Sequence, residues 1–120
     1  MASAQKYVDY YVMPVAKSEV ADYEKCGEGM AALAKKHGAL DYINTVGDDV
    51  KPGKTTSFPQ AVKLEAHEVV VCSMAIYKSR EDRDRANKAI MADPALEKLG
   101  MPSGAKRLVT GGFNVLRGLS

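Results

Sequence analysis

Asp9 stands in the middle of Tyr7-Val-Asp-Tyr-Tyr-Val-Met-Pro14, a run whose other residues favour a pleated strand. Alternation places Tyr7, Asp9, Tyr11 and Met13 on one side and Val8, Tyr10 and Val12 on the other. A carboxylate with phenols two residues away on both sides has the makings of an acid/base site. The carboxylate takes a proton, and the hydroxyls orient a substrate or hold developing negative charge. On this reading Asp9 is the base, Tyr11 and Tyr42 are orienting hydroxyls, and His37 is the alternative base. The plainer reading of Asp9 is a carboxylate at the rim or edge of a sheet. His37 is also accounted for as a residue suited to the negative end of a helix dipole, with Gly38 as the stop signal after it. Arg80 is the weaker choice for holding an anion, because Asp84 follows one helical turn later.

Other reactive residues form no recognisable pattern. His37 and His67 are the only histidines, and their spacing is not that of a local metal motif. A zinc site would need both of them plus Cys26 or Cys72, brought together by the fold. His67-Glu68 reads either as an acid/base pair or, more simply, as two polar residues at a strand end. Cys26 is expected to be the more exposed thiol, although nothing beside it favours the thiolate. Asp48-Asp49 with Lys51 and Lys54 reads as a solvated turn, since too few oxygens accompany them for a dedicated calcium loop. Phosphate loops, dinucleotide fingerprints, nucleophile elbows and paired CxxC motifs are absent, and Gly27-Glu-Gly29 is a fragment inside a helix. The sequence assigns no metal and no cofactor.

Elements must bring these residues together, and the central one is Glu68-Val-Val-Val-Cys-Ser-Met-Ala-Ile-Tyr77. Val69, Val71, Ser73, Ala75 and Tyr77 share one side; Val70, Cys72, Met74 and Ile76 share the other. Both sides are largely apolar, as in a strand covered on both faces. The first strand is Tyr7–Pro14, with Pro14 expected to end its pairing. A helix follows, N-capped by Ser18 and running to Lys36 or His37. Val20, Tyr23, Gly27, Met30, Ala31 and Ala34 form its buried side. Gly27 costs this helix roughly 1 kcal/mol against alanine, which close packing on the sheet would explain.

The next strand is Leu40–Val46. Residues 47–67 form a long connection, with residues 55–64 extended beside the sheet and split by Pro59. Ser79-Arg-Glu-Asp82 opens a second helix to about Met91, in which Arg83, Ala86, Asn87 and Ile90 make a mixed stripe. Asp93-Pro94 starts a short helix to about Leu99, ended by Gly100 and Pro102. A last strand spans Ala105–Leu116, with a bend or close approach at Gly111-Gly112.

The order strand, helix, strand, strand, helix, strand is the α+β ferredoxin-like βαββαβ sandwich, with expected strand order 4-1-3-2. The 120 residues suit a single domain over 1–120, with residues 47–67 a connection or extended hairpin inside it. Two helices cover one sheet face only. A second copy packed sheet to sheet, as a homodimer, would cover the other; the alternative is that residues 47–67 fold over it.

A net charge of +2 is too small to argue for nucleic acid or membrane. No apolar run is long enough to span a bilayer. Met1–Lys6 has no signal-peptide core, and two unpaired cysteines suit a reducing compartment. Cytoplasmic location is therefore expected. RNA contact would fall to Arg80, Arg83, Arg85, Lys88, Lys106 and Arg107 with strand aromatics. Interspersed acids argue against it, so nucleic acid is not an expected partner.

Seven blocks carry a resemblance: Tyr7–Pro14, His37–Tyr42, Gly47–Val50, Thr56–Pro59, Tyr77–Arg80, Met91–Pro94 and Gly111–Phe113. Together they resemble the YbaA-like family of small bacterial proteins, a domain of unknown function. The resemblance covers about Tyr7 to Leu116. It implies a ferredoxin-like subunit of the dimeric α/β-barrel superfamily, and no activity. The function expected is binding or transformation of a small molecule in a pocket between sheet and helices, with residues 47–67 over its mouth. A structural or protein-interaction homodimer is the alternative, and RNA binding the third reading.

Overall fold

Glu68–Tyr77 forms a strand with a partner on each side, as its two apolar faces require. In chain order the elements are β1 (Tyr7–Ala16), α1 (Val20–Lys36), β2 (Asp41–Val46), the short α2 (Phe58–Ala61), β3 (Glu68–Tyr77), α3 (Arg80–Ala92) and β4 (Val109–Asn114). The computed structural model describes residues 5–100 and 103–118, so the expected stop at Pro102 lies outside the described residues. The sheet is antiparallel with order β2-β3-β1-β4, the expected ferredoxin-like order counted from the other edge.

Register decides which residues share a face. Asp9 pairs with Ala75, and Tyr11 with Ser73. Tyr42 pairs with Ala75, and Asn44 with Ser73. Tyr11, Tyr42, Asp9, Ser73 and Asn44 therefore lie on one face, the face covered by α1 and α3. Its core joins Tyr7, Ala75 and Tyr77 of the sheet to Ala34 of α1 and to Ala86 and Ile90 of α3. Gly27 lets α1 settle onto β2: a Cβ there would stand 2.7 Å from Asn44 Nδ2. That close approach offsets the poor helix propensity of glycine.

Several local expectations are corrected. Pro14 does not end β1, which continues to Ala16 against β3. Pairing with β4 stops at Val12, and beyond it β1 is an edge strand, where proline is tolerated. Ser18 is not the N-cap of α1; it lies within a 3-10 turn, Lys17–Glu19, that precedes the helix. Residues 55–64 are not extended: Ser57 accepts a hydrogen bond from Gln60 N and caps α2, with Pro59 in its first turn. The last strand is shorter than Ala105–Leu116, because Ser103–Arg107 is a 3-10 segment. Ser79 caps α3 through Asp82 N, and Gly38 at φ +121° ends the region of α1, both as expected.

Among the described residues, neither α1 nor α3 covers the second face of the sheet. Val8, Tyr10 and Val12 of β1 share it with Cys72, Met74 and Ile76 of β3, Ile43 of β2 and Phe113 of β4. Tyr10, Ile43, Val109 and Phe113 are 40–55% exposed there, and Tyr10 packs edge-to-face on Phe113 at 5.1 Å. At one end of the sheet, Glu68 binds Arg107 through two hydrogen bonds of 2.8 and 2.6 Å. Arg107 also donates to the carbonyls of Val62 and Lys63, tying three segments together.

Candidate functional site

The helix-covered face is not fully packed. Two adjoining cavities of about 350 and 250 Å³ lie between it and the helices. They share Tyr11, Met30, Tyr42, Met91 and Leu96. The sheet supplies Tyr11 and Tyr42, α1 supplies Met30, α3 supplies Met91, and the 3-10 segment Pro94–Lys98 supplies Leu96. The larger cavity adds Tyr23, Asn44 and Ser73; the smaller adds Tyr77 and Asn87. Hollows of about 420 and 510 Å³ elsewhere are surface grooves lined by residues such as Asp22, Lys25, Pro59 and Lys63.

Behind these cavities lies a buried polar cluster. Asp9 is 3% exposed and borders neither cavity. Its Oδ2 accepts from the Tyr11 hydroxyl and from Asn87 Nδ2, each at 3.3 Å. Its Oδ1 lies 3.7 Å from Arg83 Nη1. Arg83 donates to the Tyr7 hydroxyl at 3.1 Å, and its guanidinium carbon sits 4.9 Å from the centre of that ring. The buried Nε of Arg83 is 3.2 Å from an Asp84 oxygen yet makes no hydrogen bond. Gly112 makes the cluster possible, because a Cβ there would strike the Tyr7 hydroxyl and lie 2.8 Å from Arg83 Nη2. The cluster communicates with the cavities through Tyr11 and Asn87.

Burial, and next the Asp9 carboxylate, push the Tyr11 phenol well above the ordinary tyrosine range. The same two causes push Tyr77 up to about 12. Burial raises Tyr42 and Tyr23 too, partly offset by the Ser73 hydroxyl that both approach. All four stay protonated through the neutral range, so each is a neutral hydroxyl that can donate or accept.

Residues 6–104 match the family model described as "Protein of unknown function (DUF1428)". The chain belongs to this family. The uncharacterized protein YbaA of Escherichia coli strain K12 is 41% identical over 110 residues, 90% of this chain and 94% of its own. A dimeric ferredoxin-like protein from an uncultured marine organism superposes with a TM-score of 0.61 and 13% identity, covering 96% of this chain and 99% of its own. SnoaB of Streptomyces nogalater, a cofactor-independent oxygenase, superposes with a TM-score of 0.52 and 16% identity, over 94% and 96%. At such identities the likeness to solved structures is one of fold alone.

Within this DUF1428 chain, Asp9, Tyr11 and Tyr42 come together on one face. His37 does not join them. Its Nε2 lies 2.9 Å from Asp93 Oδ2, which Lys36 Nζ also reaches at 2.9 Å. His37, then Lys36, hold the Asp93 carboxyl well below the usual range. Asp93 in turn accepts from Ala95 N, fastening the Leu96-bearing turn to the end of α1. The zinc set does not converge either: His37 faces Asp93 and His67 stands 3.9 Å from Glu65. Glu65, His67 and Glu68 do bring potential metal-ligand atoms within 4.8 Å of one another, but Arg107 occupies both oxygens of Glu68.

Cys26 proves the more buried thiol and Cys72 the more exposed, because α1 turns Cys26 and Gly27 toward the sheet. Residues 47–67 line neither cavity. Sequence reasoning missed Ser73, Asn44 and Tyr23 as cavity residues, and Arg83 and Asn87 as partners of Asp9. The stripe Arg83, Ala86, Asn87, Ile90 held the signal for the last two: polar residues at core spacing point at a buried partner.

Proposed function

We propose that this protein binds a small organic molecule in the paired cavities between sheet and helices. The observation carrying this reading is the pair of adjoining cavities that share Tyr11 and Tyr42, with the Asp9 carboxylate one hydrogen bond behind Tyr11. An apolar hollow with a few convergent polar groups is the usual form of a ligand site. SnoaB supports the reading at the level of fold, as an oxygenase on the same architecture. The chemistry these side chains suit is proton transfer, with Asp9 the final acceptor, Tyr11 between it and the ligand, and Tyr42 orienting.

The test uses protein purified from its native host without stripping. Native mass spectrometry should show a retained small molecule that is absent from a Met30→Trp variant, whose larger side chain intrudes on both cavities. Retention of the same mass by this variant would sink the reading.

We also propose that the protein works as a homodimer joined through its open sheet face, in the cytoplasm, as one domain. Two observations support the dimer: the exposed apolar positions on that face, and the likeness in fold to the dimeric ferredoxin-like protein of marine origin. Sedimentation at micromolar concentration should give twice the chain mass. A monomer there would remove the dimer and leave the cavity reading standing.

A further inference from the structure

The lining of the cavities limits what can enter them. Among the described residues, no Asp, Glu, Lys, Arg or His borders either cavity. A charged ligand would shed its hydration and meet no opposite charge, at a cost of several kcal/mol per ion. Two ions behind the wall, Asp9 and Arg83, face each other. Of the two, the carboxylate is nearer the cavity wall in hydrogen-bond terms, through Tyr11 and Asn87, and would repel an anion.

The polar groups on the wall are arranged across the strands. Asn44, Ser73 and Tyr11 form one row over β2, β3 and β1, with neighbours about 5 Å apart. Tyr42 stands in the next row, opposite Ala75. Tyr11 has one proton, and it points at Asp9 Oδ2. Toward the cavity its oxygen can therefore only accept. The hydroxyls of Ser73 and Tyr42 and the amide of Asn44 supply donors across the row. The smallest uncharged organic group that satisfies an acceptor and a donor set facing each other over so short a distance is a hydroxyl.

Resting on the cavity reading above, we infer that the ligand is an uncharged, largely apolar molecule carrying a hydroxyl, a phenol or an alcohol. The hydroxyl donates to Tyr11 Oη and accepts from Ser73 or Tyr42. The rest of the molecule lies against Met30, Met91 and Leu96. The raised phenol of Tyr11 fits this role, since a tyrosine that stays neutral keeps its proton on Asp9 and its lone pair on the ligand.

Three matched probes test the inference by fluorescence titration: 2-naphthol, 2-methoxynaphthalene and 2-naphthoate. The naphthol should bind at least tenfold more tightly than the methyl ether, which cannot donate, and than the carboxylate, which is charged. Tyr11→Phe should erase the preference for naphthol over the ether. Equal binding of naphthol and ether, or a preference that survives Tyr11→Phe, would overturn the hydroxyl assignment. Tightest binding of naphthoate would overturn the uncharged assignment. In either case the cavity still binds, and the reading beneath stands. Binding of all three probes that persists in Met30→Trp, or no binding of any, would instead remove the cavity reading itself.

Discussion

Two carboxylates are buried on the neighbouring central strands, and each faces an arginine. Glu68 and Arg107 meet through two short hydrogen bonds, and Arg107 spends further donor capacity on the Val62 and Lys63 carbonyls. That pair is closed on itself. Asp9 and Arg83 stand 3.7 Å apart, Arg83 keeps a buried Nε without a hydrogen bond, and the other partners of Asp9 are two side chains that line cavities. Burial and an arginine are common to both clusters, so neither feature marks a site. The geometry around them separates the two. A saturated pair holds segments together; an unsaturated one beside a hollow leaves groups free to meet a ligand.

The largest effect is expected beside the closed pair, at Gly104. Its Cα lies against the Pro14 carbonyl, with no room for a Cβ. Gly104→Ala should push Ser103–Arg107 off β1, draw Arg107 from Glu68, and cost about 3 kcal/mol of stability in urea unfolding. An unchanged midpoint would mean that the closed pair does not anchor this end of the sheet.

Acid unfolding tests the closed pair directly. The Arg107 hydrogen bonds are the main cause lowering the Glu68 carboxyl from 4.5 to about 2. A carboxyl depressed in the folded state stabilises it fully above the unfolded value, and that contribution fades as pH falls from 4.5 through about 2. Asp93, lowered by His37 and Lys36, adds to the same acid slope. Glu68→Gln should be clearly less stable than the parent at pH 7, and the gap should narrow steadily below pH 4.5. A gap independent of pH would exclude the ion pair as its source.

On the open face, Phe113→Glu should weaken self-association at least tenfold in sedimentation, with unfolding of the monomer little changed. It places a charge where an apolar side chain is already 55% exposed. At the other cluster, Asp9→Asn keeps the shape and part of the hydrogen bonding. It should cost about 1 kcal/mol, well short of the effect at Gly104. The smallest loss, about 0.5 kcal/mol, is expected for Tyr11→Phe, whose 3.3 Å bond is long. A larger stability loss for Tyr11→Phe than for Glu68→Gln would reverse the assignment of which cluster holds the fold.

Much of the fold was legible because its signals are periodic and local. The double apolar alternation of residues 68–77 required a middle strand, and β1 and β2 flank it. Ser79 and Gly38 marked helix ends through chemistry that operates within a few residues. Errors fell where a non-local partner decides. Residues 55–64 had strand-forming composition, yet a capping serine and Pro59 make a helical turn there. Pro14 continues its strand because β4 ends short of it, a fact held elsewhere in the chain.

The same division runs through the candidate site. Alternation alone put Asp9, Tyr7 and Tyr11 on a common face, because a pleated strand repeats with a period of two. Helical spacing alone put Arg83, Ala86, Asn87 and Ile90 in one stripe. Neither pattern says that this stripe lies over that face, that Tyr42 joins it, or that His37 turns away to Asp93; the assembled chain does. Helix packing brings Asn87 to Asp9 across 78 positions, and strand register pairs Tyr7 with Asn114 from the other end of the chain. Their outcome depends on the summed fit of whole surfaces, and no local pattern encodes that fit.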